Sequence, residues 1–435
     1  MNMRKLLSVV LLIISSVMAA HTQNIPLGIF EGQTDIGNVK IKGSSVYNEE
    51  TQEYLMKGSG YNIWFDRDEF HFLWKRLEGD FILTANIEFM GKGTDPHRKV
   101  GWMIRNSLDT SSSHICVAVH GDGLTSLQYR SINGGLTEEI RSDVSDPSVI
   151  QLERRGNTYI MSVAIAGRPF STIQLDELKL NDKVYAGLFI CSHNPDIAEK
   201  AIFHNVRITI PAPEGFVPYH DYIGSCLEIL DIETGRRRII YQTPEAIQAP
   251  NWTNDGRNII FNSNGLLYSY NLNDNTISVI NTGFADANNN DHVLSFDGKM
   301  IGISHHSKED NNQSLIYVLP VEGSSKPRKV TKKGPSYLHG WSPDGKYLVY
   351  TAERNGQYDI YRIPVKGGKE EQLTNTPKLD DGAEYIPDGR FIYFNSNRMG
   401  MMQIWRMHAD GSNQQQVTND GFNDWFPHVS PDGKW

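Results

Sequence analysis

Leu338 to Val365 reads "LHGWSPDGKYLVYTAERNGQYDIYRIPV", and its central phrase, "SPDGK" from Ser342, returns at Ser430. Related phrases open at Thr253 ("TNDGRNIIF"), Ser295 ("SFDGKMIGI") and Ile386 ("IPDGRFIYF"). Their aspartates, Asp255, Asp297, Asp344, Asp388 and Asp432, stand 42, 47, 44 and 44 residues apart. A period of this length marks a repeat architecture in which each unit is one supersecondary element. Within a unit the turn is followed by an apolar, β-rich run such as "KYLVYTA", a polar loop and a second strand such as "YDIYRIPV". A Gly turn and a short polar strand such as "KEEQLT" complete it. With the segment before the turn this makes four short strands, the content of one propeller blade. The Asp side chain can bond its own turn backbone and Gly accepts positive φ, so the pair belongs where the first strand reverses into the second. The runs after the turn are apolar on both faces, as expected for a blade held between two neighbours.

Trp-Ser-Pro-Asp-Gly-Lys, followed by a strand carrying Asp359-Ile360-Tyr361 or Gln403-Ile404-Trp405, resembles the TolB-type, WD40-like (PD40) propeller repeat. The resemblance covers Tyr222 to Trp435 and implies an all-β propeller, a fold that serves recognition as readily as catalysis. "CLEILDIETGRRRIIYQ" (Cys226–Gln242) reads as the outer two strands of one blade, four whole blades follow, and "WFPHVSPDGKW" opens another. The expectation is six blades when complete, with about 70 to 90 further residues at the observed period.

At 435 residues, 39% apolar and 21% charged, the chain suggests a globular protein of two or more domains. Its net charge of -9, with no dense basic block beyond "GRRR" at Gly235–Arg238, excludes nucleic acid as the expected partner. The N-terminus runs from "MNMRK" through "LLSVVLLIISSVM" to small residues around Ala19 and Ala20. That is the layout of a secretory signal peptide over residues 1–22, the alternative being a buried core helix, and the run is too short to span a bilayer. A mature chain beginning between Ala20 and Asn24 would be periplasmic or secreted, with no transmembrane segment after signal removal. Cys116, Cys191 and Cys226 allow one bridge at most and otherwise read as buried thiols.

"PAPEGFVP" at Pro211–Pro218 marks a stiff connector, which sets a first domain at 24–210, a linker at 211–220 and the propeller at 221–435. The first domain has short strands, among them "DFILTANIEFM", "KVGWMIRNS", "SHICVAVHG" and "TYIMSVAIAG", at the spacing of an antiparallel two-sheet jelly roll. "GWMIRNS", "GLTSLQYRSINGG", "GRPF" and "YAGLFICS" resemble the concanavalin-like sandwich domains of secreted bacterial carbohydrate-active proteins. Alternation puts Trp102, Ile104, Ile115, Val117, Val119, Leu127 and Tyr129 on one side of their strands. Arg105, His120, Gln128 and Arg130 fall on the other side, as does Cys116. Forked donors and amides on that face suit sugar hydroxyls or uronate carboxylates; the plainer reading is a solvated outer face.

Propeller chemistry is expected where inner strands converge around the channel. His292, His339, Glu384 and His428 stand a few residues before their turn motifs, and His305 ends the second strand of its blade on the same rim. Imidazoles and a carboxylate around one funnel could bind a divalent metal, with His292, His339 and His428 as ligands, or act as acid and base. The set resembles the propeller oligogalacturonate lyases, which hold a metal with funnel histidines. Alternatively the side chains line a wet channel or bond blade backbones, and no cofactor is needed. Nucleophile elbows, phosphate loops and CxxC, HExxH or EF-hand spacings do not occur. Two functions follow: a non-catalytic exported protein that binds a carbohydrate or a cell-envelope protein, or a metal-assisted lyase or hydrolase of acidic oligosaccharides.

Overall fold

The computed structural model describes residues 27–218 and 220–435, so the signal peptide and its cleavage site lie outside the described residues. The chain divides into two compact units. The first runs to Pro213 and takes in Leu230–Arg238; the second holds Glu214–Ile229 and Ile239–Trp435. Both are built from antiparallel strands, and no helix among the described residues is long and apolar enough to cross a membrane.

The second unit is a propeller of four-stranded sheets in simple sequence order, four among the described residues. Their inner strands are Gln248–Trp252, Asn288–Leu294, Ser336–Trp341 and Asp380–Tyr385. A two-stranded sheet, Ser225–Leu230 with Arg237–Thr243, precedes them. The repeated turns explain themselves atom by atom. Gly256, Gly298, Gly345, Gly389 and Gly433 all sit near φ 70°, a region only glycine enters without cost. In the third blade Ser342 Oγ donates to Asp344 Oδ1 (2.7 Å) and accepts from the amides of Lys346 (3.1 Å) and Tyr347 (2.9 Å). Asp344 also accepts from the Lys346 amide at 3.1 Å. Thr253 and Ser295 repeat the hydroxyl-to-carboxylate bond at 2.6 and 2.7 Å; Ile386 cannot, and its turn keeps the Asp388 bond to the Arg390 amide (2.9 Å). The Asp-Gly pair is therefore one half of a Ser/Thr-x-Asp-Gly unit.

Burial between blades accounts for the two-faced apolar runs. Ile301, Ile303 and Leu315 pack with Ile260 and Leu267 of the blade before, Leu348 and Tyr350 with Ile316 and Val318, and Ile392 and Phe394 with Val349 and Ile360. A second repeated device went unread in the sequence. The hydroxyls of Thr331, Thr374 and Thr418, each just past its blade's fourth strand, accept the third-strand amides of Ile316, Ile360 and Ile404, all at 2.9 Å. The inner strand expected around Phe426–His428 does not form, and no strand occurs after Gln416. An inner strand is held by its ladder to the strand beyond its turn, and residues through Trp435 supply none.

The first unit stacks two seven-stranded sheets. One runs Gly32–Ile36, Phe70–Glu78, Lys183–Cys191, Lys99–Arg105, His114–His120, Thr125–Arg130, Glu138–Arg141. The other runs Ser171–Leu175, Thr158–Ala164, Val149–Arg155, Phe81–Phe89, Glu199–Thr209, Glu53–Gly58, Ser44–Asn48. Trp102, Ile104, Ile115, Val117 and Leu127 meet Leu83, Ala85, Ile150, Leu152 and Phe203 in the main core. Within the first sheet Gly101 lies tight against the next strand: an added Cβ would stand 1.8 Å from the Val117 carbonyl oxygen and 3.2 Å from the Phe189 ring. The sequence reading missed Phe70–Glu78 as a strand because "FHFL" shows no polar alternation: all four residues are buried, His71 through bonds to Asp35 (2.8 Å) and Ser45 (3.0 Å). Its Phe70 and Phe72 join Met103, Cys116, Ala118, Phe189 and Cys191 in a second, smaller core. A short hairpin, Ile63–Trp64 with Arg67–Asp68, closes over that side.

Candidate functional site

Every inner propeller strand carries a bulge, where its register against the second strand slips: Gln248/Asn251, Asn288/His292, Leu338/Gly340 and Asp381/Glu384. A bulge turns following side chains to the other face and re-aims those within it. Equal spacing from the turn motif therefore does not give equal direction, and the expected funnel residues divide into two groups.

His339, His428 and Glu384 come together with two carboxylates the sequence reading passed over. His339 Nε2 stands 3.1 Å from Asp381 Oδ1, joining the third blade to the fourth. His428 Nδ1 lies 2.6 Å from Glu384 Oε2. Burial opposes charge on His339, but the contact with Asp381 and the fields of Asp291 and Glu384 outweigh it and hold its pKa above the usual range. Burial likewise works against ionised Asp381, and His339 more than compensates, so its pKa is lowered; the two shifts describe one ion pair. Asp291 is different. Burial, reinforced by Asp381, raises its pKa despite the bond from the Asn289 amide at 2.8 Å. The Glu384 bond raises His428 as well. Three carboxylates and His339 thus lie on neighbouring inner strands, with His428 beside them on the segment that follows the fourth blade. The signal available in the sequence was an acidic residue six or seven places before Asp297 and Asp388, which the more conspicuous histidines hid.

His292 and His305 face elsewhere. His292 is 2% exposed, has no side-chain partner, and burial lowers it to about 4, which marks a neutral packing residue. His305 packs edge-on against Tyr317 (5.8 Å between ring centres) and Phe284 (6.0 Å), and its Nδ1 accepts the Ala287 amide at 3.3 Å. Among the described residues no three His, Cys, Asp or Glu side chains are arranged to hold a metal ion. The set His292, His339 and His428 is accordingly not brought together, because the bulges of the second and third inner strands differ in length.

In the sandwich, Arg105, His120, Gln128 and Arg130 do share one side of one sheet, but that side is neither solvated nor open at the arginines. Both guanidiniums are fully buried on Asp68, itself 0% exposed. Arg130 makes contacts of 2.8 and 3.0 Å to the two carboxylate oxygens and Arg105 one of 3.3 Å. Backbone carbonyls of Phe65, Ser107, Asp109 and Ser112 accept further bonds from them, while Arg130 Nε is buried without a partner. Burial pulls Arg105 down to about 10 and His114, 3.9 Å from Asp68, down to about 4. These arginines pin the covering hairpin. His120 and Gln128 lie beyond the covered part, joined at 3.2 Å. Cys116 and Cys191 are buried free thiols pushed up by burial to about 12 and 11, and Cys226 is exposed and free.

Fold and site together define a repeat-built β-propeller, with acid–imidazole pairs linking its blades, in one chain with an antiparallel sandwich. The TolB beta propeller domain family matches residues 310–435. The structure of a putative TolB from Agrobacterium tumefaciens is 45% identical, over 49% of this chain and 76% of that one, with a TM-score of 0.46. TolB from Acinetobacter baumannii is 22% identical over 48% and 52% of the two chains, with a TM-score of 0.42. An uncharacterized protein of Agrobacterium fabrum is 47% identical over 131 residues, 30% of this chain; the match spans 44% of that relative's length. Over residues 310–435 the chain therefore carries a TolB-type β-propeller domain.

Proposed function

We propose that the protein is an exported recognition protein whose propeller docks a partner protein of the cell envelope over the inner-strand ends of its second to fourth blades. Kinship with TolB-type propellers supports a protein partner in the envelope. The carrying observation is the clustering of Asp291, Asp381 and Glu384 with the imidazoles of His339 and His428. Such a surface favours a cationic group, a Lys or Arg side chain of the partner, and complementary potential sets specificity and on-rate. In this reading the sandwich contributes glycan binding, and the export signal at residues 1–22 places the protein in the periplasm or outside the cell. The test uses partners cross-linked to the wild-type protein in envelope extracts and identified by mass spectrometry. Asp381→Asn should lose the cross-linked partner and 0.5 M salt should weaken its capture; retention of the same partner under both conditions rules the site out. Imidazole–carboxylate pairs also suit general acid–base work. Turnover of an acidic oligosaccharide by wild type, abolished by His339→Gln, would replace the binding reading with the enzymatic one.

A further inference from the structure

Beyond the arginine-pinned hairpin, the same sheet face of the sandwich carries a ring of polar side chains. Lys99, on the strand Lys99–Arg105, pairs across the ladder with His120. Its Nζ donates to Asn62 Oδ1 at 2.8 Å, and Asn62 Nδ2 lies 3.1 Å from His193 Nε2. His193 packs on His97 (5.4 Å between ring centres), and His97 packs edge-on against His120 (5.8 Å), which closes the ring beside Lys99. His193 holds φ 60°, a left-handed conformation that side-chain-bearing residues adopt at some cost, and such strain concentrates at binding sites.

What these groups lack defines what they would take. Lys99 is 2% exposed, yet its ammonium has one amide acceptor and makes no ion pair among the described residues. A buried ammonium without a counter-charge is costly. Gln128 directs its Nε2 to Glu139 Oε1 (3.3 Å) and Ser126 Oγ (3.1 Å). The Glu139 carboxylate can only accept, so this amide orientation is fixed. With one hydrogen on Glu139, the second lies between Ser126 Oγ and His120 Nε2 (3.2 Å); given to His120, it makes Nε2 the acceptor and leaves the ring proton on Nδ1. His120 Nδ1 and Gln128 Oε1 are both buried without a partner. The vacant inventory is therefore two ammonium N–H groups and one imidazole N–H seeking an acceptor, and one amide oxygen seeking a donor. Trp64, whose ring lies 6.0 Å from Lys99 Nζ, and Tyr61, 54% exposed and stacked on His193, present aromatic faces at the rim.

We infer that this ring is a binding site for a hydroxy-carboxylate, of the kind a uronate sugar carries. Lys99 and His120 hold the carboxylate, Gln128 Oε1 accepts a neighbouring hydroxyl, and Trp64 and Tyr61 cover the apolar side of the ligand. Open donors on two residues that face each other across the ladder suit an anion, and the buried ammonium disfavours a cation in the same place. The inference rests on the glycan reading only for the source of the hydroxy-carboxylate; the same chemistry is offered by a free hydroxy acid.

Isothermal titration of the full chain with digalacturonate, a neutral galactose disaccharide and tartrate tests it. Digalacturonate should bind and the neutral disaccharide should not. Lys99→Met, which keeps the buried length of the side chain, should weaken digalacturonate binding at least tenfold without lowering the melting temperature, since it removes an uncompensated buried charge. If that variant misfolds, His97→Ala, at an exposed ring position, carries the test and should weaken binding severalfold. Binding of tartrate alone keeps the site and defeats its glycan source. Digalacturonate binding unchanged in Lys99→Met or His97→Ala keeps glycan binding elsewhere and overturns the site. Equal binding of the neutral disaccharide, or binding of neither acid, overturns it as well.

Discussion

Asp68→Asn removes one negative charge and almost no volume, and it should be among the most damaging single changes in the sandwich. Asp68, Arg105 and Arg130 are all 0% exposed, and the two guanidiniums share the one carboxylate through contacts of 2.8, 3.0 and 3.3 Å. The amide can still accept one bond but cannot balance either charge, so two like charges would face each other without solvent. Breaking a buried pair by removing one partner costs about 3 to 5 kcal/mol, and here two pairs lose the same partner, so the upper end applies. For a unit of this size, about 5 kcal/mol lowers the melting temperature by roughly 10 to 20 °C. Differential scanning calorimetry should show the shift, and limited trypsin digestion should cut at Arg67 in the released hairpin. A loss below about 1 kcal/mol with the hairpin still protected would refute a structural role for Arg105 and Arg130.

Ser342→Ala deletes a hydroxyl that makes three turn bonds and should cost about 1 to 2 kcal/mol in chemical denaturation of the propeller, whereas Lys346→Ala, at the same turn but exposed, should be nearly silent. Gly101→Ala drives a Cβ into the Val117 carbonyl and should prevent soluble folding of the sandwich, while Gly156→Ala, with open space around it and φ 56°, should cost only about 1 kcal/mol, as read by expression and thermal melts. His292, with a folded pKa lowered to about 4, takes a proton in the unfolded chain near pH 6.5 but not in the folded one. Its contribution is therefore intact above pH 6.5 and drains away as pH falls to 4, by about 3 kcal/mol, and urea titrations in His292→Gln should show a flatter acid limb. The His339–Asp381 pair has the opposite high-pH edge: the raised imidazole pKa makes the histidine's share full below pH 6.5 and lost as pH rises through the folded value, while the lowered Asp381 pKa removes the aspartate's share only as pH falls through it, which urea titrations of His339→Gln would read.

Some of this could be read directly from the chain. The period of the Asp-Gly motif fixed a propeller, because a turn that needs positive φ and an aspartate bonded to its own backbone is a local requirement, met or not met within six residues. The two-faced apolar runs likewise announced strands buried between blades. The sandwich strands with clean alternation, such as Ile115, Val117 and Val119 against Cys116 and Ala118, were placed on their correct sides for the same local reason.

Direction and cover were decided only by tertiary structure. The histidines of the funnel divided because the second inner strand slips further in register than the third and fourth, and a slip depends on pairing with another strand rather than on the strand's own residues. Arg105 and Arg130 became internal because Asp68 arrives from a hairpin more than thirty residues away in sequence and closes over them. Lys99, Asn62, His97 and His193 gave no local signal at all, since they come from three segments that meet only once the sheet is formed. Local chemistry determined what kind of strands this chain makes and where they turn; long-range pairing determined which of their polar groups end up facing one another.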